Sequence, residues 1–126
     1  MAAVKVVPAD AVRRVTDIAV KQHKKIVWRT VDIVVRYSLP MNEYYDTIRT
    51  IIEDCTDPEN GFIFAVFDFA FRANIISMYS NVELPSERVE MFDAVYATDL
   101  YDTVCKNANA GQIKSIEAAV LRSALG

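Results

Sequence analysis

The chain has 126 residues, 52% apolar and 25% charged, with a formal net charge of −3. That length suits one domain, residues 1–126, able to bury roughly two-thirds of its unfolded-chain surface without metal or disulfide staples. The composition excludes a disordered chain, and three glycines and four prolines argue for helices over a loop-rich all-β protein.

Taken in order, the stretch "MAAVKVVPADAVRRV" has no long apolar run before Asp10 and Arg13, so it does not read as a secretory leader. Cytosolic synthesis is the expectation. Residues 9–22 place Val12, Val15, Ile18 and Ala19 on one stripe, as an amphipathic helix requires. Pro8 stands ahead of it and Asp10 is the expected cap.

The period then changes. "KIVWRT" and "DIVVRYS" are rich in β-branched and aromatic residues and alternate with period two. Two such runs, close in sequence, predict an antiparallel hairpin turning near Arg29–Asp32. The turn lacks Asn-Gly or Asp-Gly; a continuation of the first helix is the alternative. Ile33, Val35 and Tyr37 share one face of the second run, and Asp32, Val34 and Arg36 the other.

Past Pro40, "MNEYYDTIRTIIEDC" restores helical spacing, with Asn42 as cap and Tyr44, Ile48, Ile51, Ile52 and Cys55 inward. "TDPENG" is a loop. The segment Phe62 to Ser80 is apolar on most sides, yet Asp68, Arg72 and Asn74 lie inside it. A charge near a bilayer centre costs at least about 2.5 kcal/mol on insertion scales, so a membrane span is rejected. Phe67, Phe69 and Phe71 alternate as a strand would, but Asp68 and Arg72 stand four apart with the acid first, the favoured order for a helical pair. The segment is therefore expected to be a buried central helix, with Phe64, Phe67, Phe71, Ile75 and Met78 on one stripe and Phe62, Val66, Phe69, Ala73 and Ile76 on another.

After the loop "SNVELP", Ser86 is the expected cap of "ERVEMFDAVYA", with Val89, Phe92, Val95 and Tyr96 inward. Thr98 caps "DLYDTVCKN", with Leu100 and Val104 inward and Tyr101 a further inward candidate. "ANAG" breaks the pattern, and "QIKSIEAAVLRSALG" closes it with Ile113, Ile116, Ala119, Val120 and Leu125 apolar. The fold class expected is mainly α: a compact domain of about six helices with one hairpin in its N-terminal region.

Candidate chemistry is sparse. His23 alone has an unperturbed pKa near neutrality. It sits among lysines in "KQHKK" with no orienting partner nearby, so a solvated surface histidine outweighs a general base. Cys55 and Cys105 form no C-x-x-C, and one histidine cannot complete a zinc spacing. Two buried free thiols are the preferred reading, with a disulfide the alternative. Glu53-Asp54 and Asp99-x-x-Asp102 have the spacing of a hard-cation site, but acids at a helix start are stabilised by the dipole anyway. No nucleophile elbow and no phosphate-cradling loop is present. No enzymatic activity and no cofactor or metal is expected.

Charge is unevenly placed. Residues 1–40 hold eight Lys/Arg against three Asp, and residues 41–126 hold six against fourteen Asp/Glu. Such a chain can dock copies head to tail, positive face to negative face. The basic cluster Lys21, Lys24, Lys25, Arg29 and Arg36, with Trp28 and Tyr37 interleaved, is the strongest functional candidate, and Lys24, Lys25, Trp28, Arg29 and Arg36 are its expected partner-binding residues. Basic and aromatic residues on a ribbon also suit single-stranded nucleic acid. The overall acidity counts against that, and Trp and Arg are enriched in protein interfaces. A hairpin also offers an edge strand that another chain can extend.

Three stretches, "VWRTVDIVVRYSLPMNEYYDTIRTII", "GFIFAVFDFAFRANIISMYSNVELP" and "FDAVYATDLYDTV", together resemble a family of small tailed-bacteriophage proteins over about residues 24–105. The matching positions are Leu39-Pro40, Tyr79, Asn81, Leu84-Pro85 and Asp99 to Val104. The glycine expected in the family's hairpin turn is missing here. The resemblance implies a structural or assembly role in the virion, at capsid, neck or tail, and carries no catalytic residues. Partners would be other virion proteins and the chain itself, with nucleic acid ranked last and no membrane. The alternative function is a small soluble inhibitor or adaptor that binds a host protein.

Overall fold

Pro8 ends an extended approach and stands at the N-cap of the first helix, α1 (Ala9–Lys21), in a computed structural model that describes residues 4–126. Residues 1–3, where the leader reading begins, lie outside it. Asp10 does not cap. It sits inside the first turn, where its charge is still favourable, and pairs with Arg13 at 2.6 Å. No residue of α1 is buried, and its apolar stripe stays open, with Val15 69% and Ile18 71% exposed.

A single extended residue, Gln22, leads into β1 (His23–Trp28), which pairs antiparallel with β2 (Val31–Arg36). Ile26 faces Ile33 and Trp28 faces Val31, so the expected hairpin forms. Its turn is Arg29–Thr30, and Arg29 takes φ 58°, the left-handed region that Asn or Gly usually fills. Ile33 and Val35 are buried, whereas β1 packs only Ile26 and Trp28 partly against the core. The expected face of β2 is thus the inner one.

Pro40 also precedes α2 (Met41–Cys55) at its N-cap, and Asn42 lies within the first turn without capping. Ile48, Ile51 and Cys55 are buried as the spacing requires, and Tyr44 and Ile52 are half-buried. The buried Thr47 hydroxyl donates to the Glu43 carbonyl at 2.7 Å, so it leaves no polar group unpaired. The loop "TDPENG" carries a tight antiparallel pair, β3 (Thr56–Asp57) and β4 (Gly61–Phe62). Asp57 accepts from the Glu59 backbone N–H at 2.7 Å to close the turn. Two-residue strands are too short to leave a period in sequence.

The Phe-rich segment starts later than its apolar run does. Phe64–Val66 is a 3-10 turn, and α3 runs Phe67–Tyr79. Its second half is the core: Phe71, Ile75, Ile76 and Tyr79 are buried together with Ala70. Phe64 and Val66 are exposed instead of buried, because the 3-10 turn runs over the surface with Phe62 and Phe64 packed edge to face at 4.9 Å. Asp68 and Arg72 do pair, at 2.9 Å.

Three helices close the domain: α4 (Arg88–Tyr96), α5 (Leu100–Lys106) and α6 (Ala110–Leu125). Glu87, not Ser86, caps α4, its carboxylate accepting from the Val89 and Glu90 N–H groups. Of the four residues expected inward on α4, only Val95 is buried; Val89, Phe92 and Tyr96 are exposed. Asp99 stands at the N-cap of α5 without a side-chain cap bond, while the Thr98 hydroxyl accepts from the Leu100 N–H at 3.2 Å. Asn109 caps α6 through the Gln112 N–H. Ile113, Ile116 and Val120 are buried, but Leu125 is exposed, since the last turn runs past the body. Helix α3 is central, packing on α2, α4 and α5, with α6 closing over α2 and α5. The described residues give a mainly helical domain, 62% helical, with six helices and one N-terminal hairpin. No helix among the described residues is long and apolar enough to cross a membrane.

Candidate functional site

Strand alternation divides four of the five candidate residues between two faces, with Arg29 in the turn. Lys24 and Trp28 lie on the side of Ile26 and Ile33; Lys25 lies on the other, as does Arg36 on β2. Lys24 and Lys25 are exposed at the end of the ribbon near α1, and neither forms an ion pair among the described residues.

Trp28 reaches inward across the body. Its indole Nε1–H donates to Asp99 Oδ1 at 2.8 Å, and Arg29 Nη2 meets the same oxygen at 3.4 Å while lying 5.8 Å from the Trp28 ring centre. The Trp28 hydrogen bond, with Arg29 behind it, holds Asp99 below its ordinary carboxylate pKa. Asp99 therefore joins the candidate set. In the sequence it looked like a helix-start acid, and no spacing rule connects it to a tryptophan 71 positions away.

Arg36 is occupied within its own chain. Its guanidinium makes a two-pronged contact with Glu43, at 3.0 and 2.9 Å, and its Nε donates to the Met78 carbonyl at 2.8 Å. That fork lowers the Glu43 pKa. The structure thus brings Trp28, Arg29 and Asp99 together, ties Arg36 to α2 and α3, and leaves Lys24 and Lys25 pointing to solvent.

The hairpin's two edges differ. The Val34 N–H donates to Asn81 Oδ1 at 2.9 Å, its carbonyl accepts from the Asn81 N–H at 3.1 Å, and Val35 bridges to Ser80. Residues 80–81 therefore cover the edge of β2. Strand β1 pairs with β2 alone among the described residues, so the open edge is the one that carries the two lysines. Lysines on an edge strand oppose indiscriminate strand addition.

The remaining chemistry-bearing residues are dispersed. His23 Nδ1 lies 2.6 Å from the Lys21 carbonyl and is exposed. Both cysteines are free; Cys55 is buried and Cys105 half-buried, and burial raises the pKa of each thiol. Asp54 accepts from Asn74 Nδ2 at 3.0 Å. No group of three or more His, Cys, Asp or Glu among the described residues is placed to hold a metal ion. Comparison with protein-family models, with curated proteins and with solved structures finds no match.

Proposed function

We propose that the chain is a non-enzymatic structural or assembly protein of a tailed-bacteriophage virion, made in the host cytoplasm and working by contact with other virion proteins and with itself. One observation carries the reading: none of residues 4–32 is buried. A helix and a strand lie outside the buried core, which β1 touches only through Ile26 and Trp28, and they carry five of the chain's fourteen Lys/Arg. Surface of that kind suits a neighbouring subunit with an acidic face, such as residues 41–126 of this chain supply. Lys24, Lys25 and Arg29 would steer the approach, Trp28 would give the contact its apolar centre, and Arg36 would brace the ribbon from behind through Glu43.

Reversing charge at Lys24, Lys25 and Arg29 tests this. The triple Glu variant should keep the fold, because all three positions are exposed, and should no longer co-purify with particles. Unchanged incorporation would remove the hairpin as the interface. Capture of a single host protein by a wild-type monomer would instead favour an inhibitor or adaptor.

A further inference from the structure

The apolar stripe of α1 has no cover, and elsewhere the body has an apolar groove with no filling. The groove lies between α3 and α4, about 590 Å3 in volume. Its floor is Val66, Phe69, Ala73, Met91 and Phe92. A shallower hollow sharing Asp54, Ala73, Asn74 and Met91 extends it past Ser77. From Ala65 to Ser77 the trough follows about 18 Å of chain, long enough for the roughly 10 Å that Val12 to Ala19 span along a helix. Phe92 is 50% exposed and packs at a tilt against Phe69 and Tyr96, with ring centres 5.7 and 4.7 Å away, a preformed aromatic wall.

Charge matches as well as shape. Helix α1 carries Arg13, Arg14 and Lys21 against Asp10 and Asp17, within residues 1–40, which hold eight Lys/Arg against three Asp. Asp54 and Glu83 line the trough and Arg88 is the one cation lining it among the described residues, within residues 41–126, which hold six Lys/Arg against fourteen Asp/Glu. An apolar helix of net positive charge and an apolar trough of net negative charge fit as helix in groove.

We propose that α1 of one copy docks in the α3–α4 groove of the next. The same chain's groove is disfavoured by the joint at Gln22. Its N–H bonds back to the Ala19 carbonyl at 3.3 Å and its carbonyl accepts from the Tyr37 N–H at 2.9 Å. One residue bonded on both sides holds α1 at the angle the hairpin sets and gives it no slack to swing home. The contact is head to tail, so it propagates into a ring or a filament. This rests on the reading of the chain as an assembly protein and names the mating surfaces.

Two variants test it by sedimentation over a range of concentrations. Ile18→Asp spoils the stripe and Phe92→Glu spoils the groove, both at exposed positions. Wild type should form multimers that loosen as salt rises, and each variant alone should sediment as a single 14.2 kDa chain. Mixed in equal amounts they should recover a 1:1 dimer, because each retains the half that the other lost; that recovery also proves both are folded. A groove variant that assembles like wild type, or a mixture that stays monomeric, overturns the proposal. If Ile18→Asp and Phe92→Glu both assemble while the hairpin triple Glu variant does not, this docking is wrong and the assembly reading stands. A wild type that is monomeric throughout sinks this docking, and failure to co-purify with particles as well sinks the assembly reading.

Discussion

Arg29 shows how a single residue can serve two demands. Its φ of 58° is a region that costs a side chain about 1 kcal/mol, and its ion pair with Asp99 is fully exposed, worth little in water. Arg29→Gly should therefore raise hairpin stability by about 0.5–1 kcal/mol, read as a higher midpoint in urea, while weakening assembly. Loss of stability would mean the Asp99 contact outweighs backbone strain. Arg36 and Glu43 are the opposite case, a half-buried fork in which loss of the Glu43 charge leaves the Arg36 guanidinium without its counter-ion while its Nε still donates to the Met78 carbonyl. Glu43→Gln should cost about 1–2 kcal/mol. Neither contact was legible in the sequence. Pairs 70 and 7 positions apart have no helical or strand periodicity to reveal them, whereas Asp68 and Arg72, four apart on one helix, were readable.

Helices with one wet face were legible almost to the residue. The α2 boundaries follow from Pro40 and the spacing of Ile48, Ile51 and Cys55, and α1 from Pro8 and its stripe. Caps were not, because several side chains accept equally well near a helix start; Glu87 took the place expected for Ser86. Inward faces failed where an apolar stripe meets no neighbour. Sequence placed Phe64 and Phe92 inward and counted Leu125 among the apolar residues of α6, but apolar character alone does not say whether a surface is buried in this chain or kept for another. The same ambiguity makes a prediction for α1. Since none of its residues is buried, a chain starting at Gln22 should melt within a few degrees of full length, as surface changes rarely exceed about 0.5 kcal/mol, yet fail to assemble. A large drop would show that α1 packs on its own body.

Across the whole molecule, acid should loosen the fold in a defined window. Glu43 and Asp99 both have pKa values lowered in the native state, by the Arg36 fork and the Trp28 hydrogen bond respectively. A lowered native pKa means that the unfolded chain binds more protons. Their contribution is present above the unfolded carboxylate range, near pH 4 to 4.5, and is lost as pH falls through the lower native values. The urea midpoint should hold steady from pH 7 to about 5 and drop below about 4.5, with a shallower acid drop in Glu43→Gln. An equally steep drop in that variant would assign the sensitivity elsewhere. At this scale the mainly-α class and the N-terminal hairpin were readable, while the polar ties between distant elements were not.

Gln112 is one such tie. Its side-chain oxygen accepts from the Leu39 N–H at 2.8 Å and from the Tyr79 hydroxyl, and its amide donates to the Leu39 carbonyl at 3.0 Å. Three turns of chain, from the hairpin's exit, the end of α3 and the start of α6, meet on one amide. On the ribosome, α6 emerges after every other described element. Until it does, the Leu39 peptide and the Tyr79 hydroxyl lack this partner, so the nascent chain holds its tyrosine and its hairpin root unlatched, and translation of α6 is the step that locks them.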